Sequence, residues 1–376
     1  MPRRPRFRAS SRRPRIFAKR HPLPPTGWEG IASSCSAGTL NGHGAGARGR
    51  WVLQPWGTYC GFSPMTRLLS RLSMVLAGFL VSCATTSSTS LDLVTGDEVT
   101  VEDTALRFST LDVVFMGEEH DNDVGHAMQM DLLAALHDCR PDLILSMEMF
   151  ERDVQDILDA YLAGAVSEEE FLETSRPWGN YRPHYRPLVE YARDNGLAVL
   201  AANIPRPLAR KVSKEGPEAI AGEEFAARFS TAPPGLYHDL FWDIMNPSGG
   251  EPDDELLQRF FAAQCYKDDT MAESIADTLS QAWGQGRQPL VVHVCGKFHS
   301  DFGEGTVSRL RDRLSELRIA VVTMESGDLQ LEAAIQDPRG DVLWSVPAME
   351  KEERPEQSHP PLTKDSEEEP AAEERP

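Results

Sequence analysis

Two histidines and two glutamates occupy positions from which they could carry out acid–base or metal chemistry. His120 and His299 each follow a glycine by three residues, and each Gly-x-x-His block comes directly after an apolar run, while Glu148 ends a third such run. Imidazoles and carboxylates that meet in one crevice bind divalent cations or exchange protons with a substrate. The pattern predicts a metal site of His120, Glu148 and His299, or a hydrolytic site with Glu119 or Glu148 as the catalytic carboxylate.

Other polar residues follow the same apolar runs. Ligands bind beyond the carboxyl ends of parallel strands, so we expect Glu118, Asn203 and Arg206 to join this crevice. His126 stands at helical spacing from Gln129 and is included, with an exposed surface position as an equal alternative. The predicted crevice therefore consists of Glu118, His120, His126, Glu148, Asn203, Arg206 and His299.

The elements that must position these residues are five apolar runs that alternate with helical patterns. The runs cover residues 111–116, 143–147, 198–202, 290–294 and 319–323. Helical periodicity covers residues 124–137, 154–163, 188–193, 256–283 and 307–317. This alternation predicts an α/β fold, a mostly parallel β-sheet flanked by helices. The stretches 167–191 and 215–262 contain more helix than such a unit needs and predict an additional helical lobe.

The charge distribution divides the chain into two unlike parts. The first 82 residues hold 13 basic side chains and one acidic side chain, whereas the remainder holds 25 basic and 57 acidic side chains. A body this acidic repels phosphate backbones, so nucleic acid is excluded as a partner.

Residues 65–82 have the composition of a bacterial lipoprotein signal peptide. Two arginines precede an apolar run at 72–81, which at ten residues is too short to span a bilayer. Leu80-Val-Ser-Cys83 resembles the lipobox, in which the cysteine thiol receives a lipid. We therefore predict Cys83 as the lipidation site and the first residue of the mature protein.

The lipobox also fixes the expected domain organisation. Residues 1–64 lack periodicity and are predicted to be a non-native or disordered extension, followed after Cys83 by a polar tether at 83–92. The α/β domain is expected at 93–347, with a disordered acidic tail at 348–376. The expected location is the cell envelope as a lipid-anchored membrane protein, facing the periplasm from the outer membrane in a Gram-negative organism.

Several ordered blocks between about residues 110 and 310 resemble the ChaN-like haem-binding lipoproteins of the Tiki superfamily. They are Gly117-Glu-Glu-His-Asp-Asn, Glu148-Met-Phe-Glu-Arg, Ala202-Asn-Ile-Pro-Arg, Lys267-Asp-Asp-Thr-Met-Ala and Val292-His-Val-Cys-Gly-Lys-Phe-His. The resemblance implies an α/β fold, a lipid anchor, noncovalent haem, and a role in haem or iron uptake. The superfamily's two Gly-x-x-His motifs and glutamate correspond here to His120, His299 and Glu148.

Two aromatic clusters could supply the apolar slot and axial donor that haem needs. The first contains Tyr181, His184 and Tyr185, and the second contains Tyr237 and His238. For any one of these residues taken alone, packing into the core is the stronger alternative.

Two functions thus compete. The resemblance and the lipobox favour a haem- or iron-binding lipoprotein, with haem as cofactor and a homodimer as a further possibility. The strand-end residues favour a metal-dependent hydrolase with a divalent metal. A purely structural envelope protein is the third alternative, and it leaves the polar strand ends without a purpose.

Overall fold

The structure is a computed structural model that describes residues 88–246 and 254–348. The predicted extension at 1–64, the signal peptide at 65–82, the lipidation site Cys83 and the tail beyond residue 348 lie outside the described residues.

A seven-stranded sheet forms the centre of the molecule, with the strand order β1-β7-β6-β2-β5-β3-β4. Neighbouring strands run parallel, except that β1 pairs antiparallel with β7 at one edge. The strands are β1 Thr89–Asp92, β2 Val113–Glu118, β3 Leu143–Glu151, β4 Ala198–Asn203, β5 Leu290–Gly296, β6 Ile319–Ser326 and β7 Val342–Val346.

Ten α-helices connect and cover these strands within the described residues. They are α1 Val101–Phe108, α2 Asp123–Cys139, α3 Gln155–Leu162, α4 Glu168–Ser175, α5 Arg186–Asp194, α6 Arg206–Glu215, α7 Leu236–Met245, α8 Asp254–Gly284, α9 Thr306–Arg313 and α10 Leu331–Gln336. A one-turn π-helix at Tyr181–Tyr185 precedes α5. Helices α4 and α7, most of α5 and the first part of α8 lie within the two stretches predicted to form the additional helical lobe.

The core explains why the central strands are apolar along their whole length. Every residue of β2, β3 and β5 is buried, because helices cover both faces of a parallel sheet. On one face, β-strand side chains such as Phe115 and Val291 pack against Ile275 and Leu279 of α8 and Leu310 of α9. Helix α8 is therefore fixed across the sheet, and this position decides which of its residues reach the site.

The predicted fold class is confirmed, and all five predicted strands are present. Two details differ. Residues Thr89–Asp92, assigned to the tether, form β1, because the edge of the sheet offers them the backbone of β7. Glu148 does not end its strand: β3 continues to Glu151, with a register shift against β4 between Met147 and Glu151.

In the parts of the chain that the structure describes, no helix combines the length and apolar character needed to cross a bilayer.

Candidate functional site

A cleft of ≈ 510 Å³ opens beyond the carboxyl ends of the central strands. Strands β2, β3 and β5 are neighbours and run in the same direction, so their ends and the turns that follow meet at this edge. Helices α6 and α8 close the sides. The cleft is lined by His120, Glu148, Glu151, Trp178, Gly179, Asn203, Ile204, Arg206, Ala209, Gln264, Lys267, Gly296, Phe298 and His299.

One carboxylate–histidine pair stands at the end of β2. The Nδ1 atom of His120 lies 2.9 Å from Oε1 of the buried Glu118. The hydroxyl of Tyr185 donates to the same oxygen at 2.6 Å, and the amide of Gln129 donates to Oε2 at 2.7 Å. Glu118 is therefore held from two sides, and it orients the imidazole of His120 toward the cleft.

A second pair of the same design stands across the cleft. The Nδ1 atom of His299 lies 2.7 Å from Oδ1 of Asp268, which projects from α8. The hydroxyl of Tyr237 donates to Oδ2 of Asp268 at 2.6 Å, and the hydroxyl of Thr306 donates to Oδ1 at 2.9 Å. Each histidine thus has a carboxylate at its Nδ1 atom, and each carboxylate is fixed by a tyrosine and one more donor.

Glu148 lies between the two pairs. Its Oε1 atom is 3.3 Å from Nε2 of His299, and its Oε2 atom accepts the backbone N–H of Gly296 at 2.7 Å. The register shift in β3 turns this side chain into the cleft from inside a strand, as β-bulges near active sites do. Glu148 therefore contacts His299 directly and acts on His120 through its charge.

The glycine of the second Gly-x-x-His block leaves room for the first histidine. A Cβ atom on Gly296 would lie 2.8 Å from Cε1 and 3.0 Å from Nε2 of His120. Its φ of −58° is open to any residue. Glycine is therefore needed here for its missing side chain, which allows His120 to approach, and not for its backbone conformation.

The two imidazoles have raised pKa values. Burial on its own would lower the pKa of His299, but the charges of Glu148 and Asp268 and the hydrogen bonds to both raise it to about 10. Burial also opposes charge on His120, and its hydrogen bond to Glu118 and the charge of Glu148 raise its pKa above the usual value.

The carboxylate between them shifts in the opposite direction. Burial on its own would raise the pKa of Glu148, but the charges of His299 and His120 and the Gly296 N–H hold it well below its usual range. At neutral pH, His299 is therefore an imidazolium and Glu148 a carboxylate. The side chain of His120, which is 43% exposed, is the most accessible imidazole of the cleft.

Helix α2 supplies a buried layer behind His120. Asn122 caps this helix by accepting the N–H of Gly125. His126 is buried rather than exposed: its Nδ1 atom faces Oε1 of Gln129 at 2.9 Å, and its Nε2 atom donates to the carbonyl of His120 at 3.0 Å. His126 therefore supports the crevice without lining it.

The remaining predicted crevice residues hold the rim. Asn203 donates to the backbone carbonyl of Glu148 at 3.0 Å, and Arg206 donates to Glu151 at 2.5 Å. Glu119, the predicted general base, does not line the cleft. It pairs with Lys297 at 2.7 Å. Burial on its own would raise the pKa of Glu119, but the hydrogen bond to Lys297 keeps this pKa below its usual value.

The five residues predicted to bind a cofactor have unequal access to the surface. Tyr181, Tyr185 and Tyr237 are buried, and the last two donate their hydroxyls to Glu118 and Asp268. Iron ligation by these two would require those hydrogen bonds to break. His184 is also buried, with Nε2 2.8 Å from Asp123. His238 has the most open side chain of the five, at 21% exposure.

The predicted metal ligands have suitable chemistry but are not arranged around an ion. Two imidazoles and a carboxylate match the donors that divalent transition metals use, and a carboxylate on the second ring nitrogen is the usual support of a ligating histidine. Across the described residues, no group of three or more such side chains is placed to hold a metal ion. The metal site of His120, Glu148 and His299 stays a prediction.

Sequence reasoning missed Asp268, Gln264 and Lys267 as site residues. Lys267 and Asp268 lie in one of the blocks that carry the family resemblance, yet their spacing on α8 indicated no more than a long helix. The available signal was that Asp268 falls on the face of α8 that the amphipathic pattern predicts to be buried. A buried carboxylate needs a partner, so this position indicated a pairing.

Fold and site together define an α/β protein with two carboxylate-anchored histidines at the carboxyl edge of a parallel sheet. Residues 105–310 match the family model described as haem-binding uptake, Tiki superfamily, ChaN. This match covers more than half of the chain, so the chain belongs to the ChaN family of the Tiki superfamily.

Individual proteins are more distant. The solved structure of ChaN of Campylobacter jejuni, with cofacial heme binding, superposes with a TM-score of 0.54 at 18% identity, covering 69% of this chain and 97% of that one. The chain is also similar to Protein RETICULATA-RELATED 5, chloroplastic, from Arabidopsis thaliana, at 25% identity over 215 residues. That match covers 54% of this chain and spans 29% of the plant protein's length.

Proposed function

We propose that this protein binds haem noncovalently at the cell envelope and serves haem or iron uptake there, anchored by a lipid on Cys83. Membership of the ChaN family supports haem as the ligand. The lipobox-like sequence that ends at Cys83 supports the anchor and the location.

The observation that carries the haem proposal is a partly exposed stripe on α7. His238, Trp242 and Met245 follow each other at i, i+4 and i+7, beside the buried face formed by Tyr237 and Phe241. Met245 is 42% exposed. A porphyrin needs an apolar surface and an axial donor, and this stripe supplies both outside the core.

His238 is the proposed axial ligand. Its ring stacks on Trp242 with centroids 3.9 Å apart, and its Nδ1 atom lies 3.1 Å from Asp239. These contacts fix the ring and leave Nε2 without a hydrogen bond to another described residue, available to iron. A carboxylate at the second ring nitrogen is the usual support of a ligating histidine.

Cofacial haem, as in the Campylobacter protein, supports a homodimer for this chain as well. Two copies that each present the α7 stripe would bury two facing porphyrins between them. We expect hemin to shift the full chain from monomer to dimer in analytical ultracentrifugation, with one hemin per chain.

A hemin titration of the full chain tests the site. We expect a saturable Soret band, and in His238→Ala a shifted band and an affinity lower by at least about tenfold, the loss of one coordinate bond. His137→Ala is the matched control. It removes a half-buried histidine of α2, away from α7, and should leave the hemin titration unchanged. The absence of a saturable Soret band in the wild type rejects haem binding. Loss of the band in Tyr185→Phe but not in His238→Ala would show that the axial ligand belongs to the first aromatic cluster.

The lipid anchor has its own test. Cells that express the full chain are labelled with a radioactive fatty acid, and the label is expected on the wild type but not on Cys83→Ser. Equal labelling of Cys60→Ser and wild type is the control. Label that persists in Cys83→Ser contradicts the anchor and leaves haem binding untouched.

A second candidate function is hydrolysis by a divalent metal in the cleft. The observation in its favour is that both Nδ1-anchored imidazoles stand beside Glu148. His120, Glu148 and His299 would hold the metal, which when bound polarises a carbonyl and activates water. Metal analysis and a panel of peptides and esters test it: no bound metal and no turnover, or turnover that survives His120→Ala, rejects it.

A further inference from the structure

Lys267 is a partly buried cation that lines the cleft and has no counter-ion in the part of the chain that the structure describes. It projects from α8 one turn after Gln264, and it has no hydrogen bond or ion pair to any other described residue. The residue is half-buried, and its Nζ atom is not among the buried polar atoms without a partner in the described residues. A lysine of this kind packs its methylene groups against the wall and keeps its ammonium accessible to solvent. An ammonium placed in this way is prepared for an anion that comes from outside.

The other charges of the cleft are already paired. Glu151 receives hydrogen bonds from Arg206 and Arg176, and Glu148 faces His299 at 3.3 Å. The positive charge of Lys267 is therefore left over, in a chain whose formal net charge is −20. The positive potential at Lys267 attracts small anions to the cleft, whereas the acidic surface of the molecule repels them.

The walls around Lys267 are apolar in part. Trp178, Ile204, Ala209 and Phe298 line the same cleft, and the ring of Trp178 stands edge-on to His120 with centroids 5.0 Å apart. Pockets of this kind bind ligands by apolar contact and fix their orientation with a few polar groups. The ligand that matches these walls has an apolar body and one anionic end.

We propose that the cleft binds a small ligand composed of an apolar body and a carboxylate, and that the Lys267 ammonium receives the carboxylate. Two sources share this chemistry, the C-terminus of a short acylated peptide and a propionate of haem. The cleft wall residue Phe298 stacks on Tyr237 of α7, so the two sites are neighbours. The carboxylate contact uses Lys267 rather than His238, and its test does not depend on haem ligation by His238.

Calorimetric titration of the full chain with N-benzoylglycine tests the proposal, and its amide, N-benzoylglycinamide, is the neutral counterpart. We expect the acid to bind and the amide to bind about tenfold more weakly, since a hydrogen bond between charged groups is lost. Lys267→Met reduces the affinity for the acid about tenfold and leaves the amide unchanged, and Lys267→Arg retains most of the affinity. Lys214→Met, an exposed lysine of α6, is the control and changes neither.

Three results overturn the proposal: no binding of N-benzoylglycine at millimolar concentration, equal affinity for acid and amide, or an unchanged affinity in Lys267→Met. Unfolding of Lys267→Met is excluded by its retained binding of the amide or by circular dichroism.

Competition in the wild-type chain distinguishes the two sources. Displacement of N-benzoylglycine by hemin but not by hemin dimethyl ester assigns the carboxylate to a propionate, and no displacement assigns it to a peptide terminus. If the wild type shows no Soret band with hemin, but Lys267→Met weakens the binding of N-benzoylglycine, the haem proposal is rejected and the carboxylate site is retained.

Discussion

Two buried histidines six residues apart have opposite charge states. His293 lies inside β5, where burial lowers its pKa to about 3, so it is neutral. His299 lies just beyond the same strand, where Glu148 and Asp268 outweigh burial and raise its pKa to about 10. The partner of His293 is the hydroxyl of Ser146, at 2.8 Å. Burial therefore does not decide the charge of a histidine; the neighbouring carboxylates do.

The difference separates a structural histidine from a site histidine. Sequence predicted His293 as a hydrogen-bonded core residue, and its Nδ1 atom has that partner, while Nε2 has none within the described residues. A neutral imidazole tolerates one unmade bond better than an imidazolium would. His299 has carboxylates at both nitrogens. Four experiments can break or sharpen this contrast, described from the largest expected effect to the smallest.

Removal of Asp268 has the largest effect. Asp268→Ala leaves a charged, buried His299 with Glu148 as its remaining partner and leaves the Tyr237 hydroxyl without an acceptor. We expect a loss of about 3–5 kcal/mol in the free energy of unfolding, measured in urea. Asp277→Ala, on the same helix with an exposed ion pair to Arg228, should cost no more than about 1 kcal/mol. Equal losses would contradict the buried pairing.

Acid should destabilise the protein through His293. Its folded pKa, about 3, lies below the ordinary value of 6.5, so the folded state binds the proton less well than the unfolded state. The contribution is complete above about pH 6.5 and is lost as the pH falls toward 3, at a slope of up to about 1.4 kcal/mol per pH unit. His293→Gln flattens the profile of unfolding free energy against pH, and His137→Gln does not. Parallel profiles for wild type and His293→Gln would refute a neutral His293.

Ser146→Ala removes the partner that His293 does have. Both ring nitrogens would then lack a hydrogen bond, and we expect a loss of about 2 kcal/mol in urea unfolding. Ser213→Ala, whose hydroxyl bonds an exposed carbonyl on α6, is the matched change and should be close to neutral. A neutral Ser146→Ala would mean that the Ser146 hydroxyl contributes nothing to the core.

Tyr237→Phe gives the smallest effect. It removes one hydrogen bond to Asp268 but leaves those from His299 and Thr306, so we expect a loss of about 1 kcal/mol. The ¹⁵N chemical shifts of the His299 imidazole, recorded by NMR at neutral pH, should keep the pattern of a protonated ring. A switch to the neutral pattern would show that Tyr237, rather than the carboxylates alone, sustains the charge.

The sequence by itself determined the local part of this protein. Apolar runs and helical periodicity located five of the seven strands, because helices cover both faces of the sheet and select apolar residues in its strands. The Gly-x-x-His blocks located His120 and His299 near the sheet edge, since a residue that follows a strand closely cannot lie far from its end. Ordered motifs likewise indicated the family that the family model confirms.

The tertiary structure alone decided how those residues are used. Asp268 reaches His299 from 31 positions away because α8 packs across the sheet, and no spacing in the sequence encodes that crossing. The irregular pairing of β3 turns Glu148 inward from within a strand, which a run of buried residues does not reveal. Tyr185 and Tyr237 are likewise buried by packing between segments that are distant in the sequence. Chemistry that depends on contacts between distant segments depends on packing, and packing is a property of the whole fold.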